Sequence, residues 1–130
     1  MAEHYIEKKI YYHDTDAGGV VYYANYLKHL EEARFEFCLS KGVNIAESAK
    51  NGTLFAVVHL NIDYKSPARY GEITMISTRI DKIGFSSIHF AHEIKRGDIL
   101  LLTAKTVWAC VNSALKPQPM PDNIKQALKP

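Results

Sequence analysis

Tyr12-His13-Asp14-Thr15-Asp16-Ala17-Gly18-Gly19-Val20-Val21-Tyr22-Tyr23-Ala24-Asn25-Tyr26-Leu27 is the stretch on which the reading of this chain turns. Two acids and two glycines stand directly ahead of a strong amphipathic helix pattern. Gly18 and Gly19 permit a tight turn and a close approach of backbone to a ligand. A helix start offers N–H groups without intrahelical partners and the positive end of the helix dipole. A carboxylate facing such groups is equipped for chemistry on a carbonyl. It supplies or activates the attacking oxygen while the N–H groups stabilise the oxyanion.

Outward from this stretch the hydrophobic period decides the fold class. Tyr23, Tyr26, Leu27, Leu30, Phe37 and Cys38 fall near one helical face, with Lys28, Glu31, Glu32 and Glu36 mostly off it. Lys41-Gly42 closes the pattern with a cation and a glycine suited to the left-handed conformation. A helix of about four turns is predicted. Before the loop, residues 4 to 12 read as a first strand. After the helix, Val58, Leu60, Ile62 and Tyr64 share one parity and Asn61, Asp63 and Lys65 the other, the pattern of a half-buried strand ended by Ser66-Pro67-Ala68. Residues 72 to 82 and 85 to 95 read as two more strands, parted by Ile83-Gly84. Arg96-Gly97-Asp98 is a hairpin turn signal, and residues 99 to 111 have the long apolar run of a central strand. Pro117, Pro119 and Pro121 stop the sheet, and Asp122 stands where it could cap a short helix from Asn123 to Leu128. The order predicts one α+β domain over residues 1–130, a sheet wrapped around its long early helix. Such a sheet leaves an edge, and a dimer that continues the sheet would cover it.

Composition narrows the class. The chain has 130 residues, 47% of them hydrophobic, enough for one real core. A net charge of +2 with scattered lysines and arginines argues against a nucleic-acid binder. Cys38 and Cys110 lack metal-ligand spacing and read as buried free thiols of a reducing compartment. No secretory signal and no bilayer-length apolar run is visible, so a cytoplasmic protein is expected. His13 beside Asp14 and Asp16, and His29 with Glu32 at helical spacing, could suggest a metal, but no further ligand is placed nearby and no metal is expected. His59, His89 and His92 read as surface or partly buried side chains of strands. No Gly-x-Ser-x-Gly elbow supports a serine hydrolase.

Tyr12-x-Asp14-Thr15-Asp16-Ala17-Gly18-Gly19-Val20-Val21-Tyr22-x-Ala24-Asn25-Tyr26-Leu27, followed by Glu32-Ala33-Arg34, resembles the signature of the hotdog-fold acyl-CoA thioesterases. The nearest likeness is to the YbgC type of the 4-hydroxybenzoyl-CoA thioesterase family. Val58-x-Leu60-x-Ile62-x-Tyr64-x-x-Pro67-Ala68 resembles that family's second strand and the turn after it. The resemblance implies a five- or six-stranded antiparallel sheet around a central helix. It also implies dimers, often paired into tetramers, with the active site between subunits and no metal or organic cofactor. On this resemblance Asp16 is the catalytic acid and the backbone N–H of Tyr23 polarises the thioester carbonyl. YbgC-type proteins commonly carry histidine where Tyr23 stands, whereas the related hydroxybenzoyl-CoA enzymes carry tyrosine. The backbone role survives that exchange, and a side-chain proton-transfer role does not carry over.

Asp16 would either attack the thioester, giving a mixed anhydride that water opens, or act as general base for water. Asp14 reads as structural, through hydrogen bonds to loop N–H groups. The alternative without chemistry is that both acids only shape the loop and cap the helix. Gly19, Val20, Tyr22 and Tyr26 are candidate substrate contacts, the tyrosines being equally suited to the core. Coenzyme A phosphates need cations, for which Lys82, Arg69 and Lys116 are candidates. Lys116 leads because the family places a phosphate contact after the last strand. The expected substrate is an acyl-CoA, with an acyl carrier protein as a further thioester donor. A non-catalytic acyl-CoA or acyl-carrier binding module is the competing function, and a hydratase, which needs a His–acid pair at the cleft, is the third. Acyl length and polarity are not encoded legibly, and a link to phospholipid metabolism is an expectation of the resemblance alone.

Overall fold

A computed structural model describes residues 3–130. Five strands, β1 (His4–Lys9), β2 (Leu54–Tyr64), β3 (Ile73–Ile83), β4 (Ser87–Arg96) and β5 (Ile99–Val111), form one antiparallel sheet in the order β1-β3-β4-β5-β2. Helix α1 (Tyr26–Ser40) lies across it, and α2 (Ile45–Lys50) and α3 (Asp122–Leu128) flank it. The predicted α+β wrap is the observed one.

Helix α1 buries Tyr26, His29, Leu30, Ala33, Arg34, Phe37 and Cys38, a stripe at the three-and-four spacing of a helix face. The stripe differs from the expected one at its edges. Tyr23 and Leu27 are exposed, and two polar side chains, His29 and Arg34, go inward. One core cluster joins Tyr26, Leu30 and Ala33 to Ile76, Ile94 and Leu102 of the sheet. A second joins Phe37 and Cys38 to Ile80, Phe90 and Trp108, with Ile124 and Leu128 of α3 closing it. Both cysteines are buried and free.

His92 departs most from expectation: it is fully buried rather than a surface or partly buried side chain. It faces Arg34, whose Nη1 lies 3.4 Å from His92 Nε2 and donates to Thr106 Oγ1 at 3.2 Å. A guanidinium only donates, so Nε2 must be the acceptor and the imidazole proton sits on Nδ1, 3.2 Å from the Ser77 carbonyl. Burial, and then the charge of Arg34, push His92 down to about 3. Burial lowers Arg34 to about 10, still charged at neutral pH, with its guanidinium over the Trp108 ring at 5.7 Å.

Other boundaries also move. The first strand stops at Lys9, because Tyr12–Asp14 turn into a short 3-10 helix. The α2 helix escapes the sequence reading; Asn44 caps it by accepting the Glu47 N–H at 3.1 Å. Strand β2 starts at Leu54, before the expected Val58, and is bulged between Val57 and His59. It is also more open than a half-buried strand. As an edge paired only with β5 it leaves Val57, Val58 and Leu60 exposed. Asp122 does not cap α3: the cap position is Pro121 and Asp122 lies in the first turn. None of the described helices is long and apolar enough to cross a membrane.

Candidate active site

Residues 15–21 form a miniature hairpin in which Asp16 opens the tight turn to Gly19. Thr15 and Val21 bridge, the Asp16 N–H donates to the Val20 carbonyl at 2.9 Å, and the Gly19 N–H returns to the Asp16 carbonyl at 3.0 Å. Gly19 takes φ +80°, a conformation costing about 1–2 kcal/mol for a residue with a Cβ. Gly18 donates its N–H to Asp16 Oδ1 at 2.8 Å, and a Cβ there would sit 3.3 Å from that oxygen. The Asp16 side chain is exposed on this single chain, with Oδ1 held by the turn and Oδ2 unengaged among the described residues.

Asp14 is the anchor beneath the hairpin. It is only 5% exposed, and its Oδ2 accepts the Tyr11 N–H at 2.9 Å. His29 Nε2, on α1, lies 3.1 Å from Asp14 Oδ1; a carboxylate only accepts, so this nitrogen carries the proton. The Asp14 carbonyl takes two further bonds, from the Tyr22 N–H and from Asn25 Nδ2, each at 2.9 Å. Burial draws the Asp14 carboxyl upward, but the Tyr11 N–H and the two histidines outweigh it and leave it below its ordinary value. The structural reading of Asp14 is therefore the observed one. His29 pairs with Asp14 rather than with Glu32, and no three metal-ligating side chains converge among the described residues.

The Tyr23 N–H belongs to a 3-10 turn, Tyr23–Asn25, set ahead of α1 rather than to the α-helix itself. Its first two N–H groups, from Tyr23 and Ala24, have no acceptor among the described residues. The Tyr23 side chain is exposed and Tyr22 half-exposed beside it, ring centroids 4.9 Å apart. Tyr26 belongs to the core: it is 3% exposed, and its hydroxyl accepts the Ala68 N–H at 3.1 Å. A cavity of about 300 Å³ opens between Tyr23, Tyr26, Tyr64 and Pro67.

Asp14, Asp16, Gly19, Val20, Tyr22 and Tyr23 are thus brought together, while the candidate cations scatter. Arg69 bridges Val20 and lies beside the hairpin. Lys82 lies with His59 and His89 on the sheet. Lys116 sits just past β5, whose Val111 pairs with Leu54 at the start of β2. The site lies near Tyr64, at the other end of β2, about 30 Å away by strand rise. Within one chain Lys116 is therefore not part of the site. Sequence reasoning overlooked His29 as the partner of Asp14 and Tyr64 as a contact of the turn. The helical position of His29 on the stripe was available as a signal for the first.

Comparison with known proteins agrees with this architecture. The Thioesterase-like superfamily matches residues 11–128. The acyl-CoA thioesterase YbgC of Haemophilus influenzae is 33% identical over 123 residues, 92% of this chain and 89% of that protein. The 1,4-dihydroxy-2-naphthoyl-CoA hydrolase of Nostoc punctiforme is 31% identical, covering 94% of this chain and 84% of its own. A crystal structure of a probable thioesterase from Bartonella henselae superposes with a TM-score of 0.86 at 33% identity, over 92% of this chain and all (100%) of that one. The chain belongs to the thioesterase-like superfamily of hotdog thioester hydrolases, among the relatives of YbgC.

Proposed function

We propose that the protein hydrolyses acyl-CoA thioesters to a free carboxylic acid and coenzyme A, with Asp16 as the reactive carboxylate and the Tyr23 N–H as the carbonyl donor. The observation that carries this is the pairing of the Asp16 hairpin with an open 3-10 turn through one residue, Asp14. Two routes use the same carboxylate. In one, Asp16 attacks the carbonyl carbon, the C–S bond breaks, the thiolate leaves and takes up a proton, and water opens the mixed anhydride. In the other, Asp16 takes a proton from water as its oxygen attacks, and that proton passes to the departing sulfur. In both, negative charge builds on the carbonyl oxygen facing the Tyr23 N–H, where losing one such donor costs an enzyme about 2.7–4 kcal/mol.

The exposure of Asp16 on a single chain argues that a second copy completes the cleft. Antiparallel pairing of two β2 edges would set the Leu54 end of one copy beside the Tyr64 end of the other. That arrangement brings Lys116 near the partner's site, where it would meet coenzyme A phosphates. Arg69 is the cation that the same chain supplies.

Thiol release from purified protein and a panel of acyl-CoAs, acetyl to palmitoyl plus hydroxybenzoyl, tests the activity. Asp16→Asn is expected to lose at least about a hundredfold in kcat, as loss of a positioned acid–base group typically does, while keeping its fold. Full turnover by this variant would exclude the mechanism. Rapid acid quench during turnover of acyl-radiolabelled substrate separates the routes, since protein-bound acyl label arises only from the anhydride.

A further inference from the structure

Tyr64, the last residue of β2, is half-exposed and belongs to a sequence motif that the proposed chemistry leaves without a role. Its hydroxyl donates to the Tyr23 carbonyl at 3.1 Å, bridging 41 positions of sequence. Its ring meets Tyr23 edge-on at 6.4 Å and Tyr26 at 5.9 Å. What this bond holds follows from peptide planarity. The peptide that carries the Tyr23 N–H is fixed at its other end, where the Tyr22 carbonyl accepts the Asn25 N–H at 2.8 Å. The next peptide, which carries the Ala24 N–H, is fixed through the Tyr23 carbonyl, and Tyr64 grips that oxygen from outside the turn.

The residues after Tyr64 continue the grip. Lys65 and Ser66 both donate to the Leu101 carbonyl, at 2.8 and 3.1 Å, which ties this segment to the sheet. Arg96 Nη1 donates to the Pro67 carbonyl at 2.9 Å. Ala68 then holds both flanks of the site: its carbonyl accepts the Val21 N–H at 2.8 Å and its N–H donates to the Tyr26 hydroxyl. The 64–68 segment is thus a rigid template against which the hairpin and the 3-10 turn are laid. Tyr64 is the part of it that reaches the turn.

We infer that Tyr64 is a positioning residue that holds the Tyr23–Ala24 peptide and so steadies the 3-10 turn that presents the Tyr23 N–H. The inference rests on the proposal that the Tyr23 N–H faces the thioester. A misplacement of about 1 Å at a reacting centre costs up to about a hundredfold, so the loss of one hydroxyl here belongs in the rate and not in binding.

The test is Tyr64→Phe beside wild type and Asp16→Asn, with thiol release from a short acyl-CoA read across pH. Tyr64→Phe is expected to lower kcat about ten- to a hundredfold. KM, the thermal midpoint and the position of the acid limb should stay where they are. A ketone analogue with methylene in place of the thioester sulfur should bind it as it binds wild type. Unchanged kcat overturns the inference, as does a loss shared between kcat, KM and thermal midpoint. Failure to fold also overturns it, since Phe keeps both ring contacts and removes only a surface hydroxyl. If wild type releases no thiol, or Asp16→Asn retains full turnover, the underlying mechanism fails instead, which the same plate shows separately.

Discussion

Asp14 and His92 are two buried titratable side chains whose protonation favours the unfolded chain, in different pH windows. His92 stays neutral in the fold down to about 3, whereas an unfolded histidine takes its proton near 6.5. Its contribution to stability is complete above pH 6.5 and is lost as pH falls from there toward 3. Asp14 stays ionised below its ordinary value of 3.8, so its contribution is complete above that pH and is lost as pH falls through the lower folded-state value. Stability should therefore start to fall near pH 6.5, at up to about 1.4 kcal/mol per pH unit from one proton, and fall more steeply below pH 3.8. Urea unfolding from pH 7 to 3 measures this. His92→Gln should flatten the upper window and Asp14→Asn the lower one. A profile identical to wild type in both variants would contradict the assignment. Asp14→Asn should also lose turnover at pH 7, because the carboxylate ties the turn ahead of the Asp16 hairpin, through the Tyr11 N–H, to His29 of α1.

At the scale of elements, what was legible depended on whether the deciding interaction was local. The hairpin announced itself through Gly18-Gly19, because a left-handed φ and a close carboxylate approach are properties of the turn alone. Helix α1 announced itself through its period, yet its stripe was misjudged at His29 and Arg34. Their burial depends on Asp14 and on Thr106 and Trp108 of β5, which no helical pattern reveals. Strand β2 was placed by its alternation but not by its exposure, which comes from its position in the sheet order. The α2 helix was missed although its signal is local, with Asn44 and Glu47 three apart. Asn44→Ala should cost about 1 kcal/mol in urea unfolding, as cap removal does, and leave turnover at the wild-type level. A drop in kcat with that substitution would show that α2 communicates with the site. Gly19→Ala should do the reverse in part. It costs about 1–2 kcal/mol of strain and moves the turn that holds Asp16, so kcat falls with stability.

For the whole molecule the two edges of the sheet are chemically unlike. Edge strand β1 carries Glu7, Lys8 and Lys9, charges of the kind that discourage pairing with another chain. Edge strand β2 is 11 residues long, contains no proline, and exposes Val57, Leu60 and, at 62%, Val58. An open apolar edge of that length offers a pairing surface, and it ends at Tyr64, which grips the Tyr23 carbonyl. Assembly and chemistry are therefore coupled through β2 in the proposed dimer. Val58→Lys, a charge set on that edge, should convert the protein to a monomer in light scattering. It should also cut turnover at least about tenfold, while Asp16→Asn stays dimeric and inactive. Lys116→Ala should raise KM for acyl-CoA without changing kcat, since a phosphate contact far from the carbonyl binds ground state and transition state alike. In mixtures of Asp16→Asn with Lys116→Ala protein, the only low-KM active site pairs an intact Asp16 from one copy with an intact Lys116 from the other. Recovery of wild-type KM at part of the wild-type rate would mark that crossed arrangement, and a KM fixed at the Lys116→Ala value would exclude it.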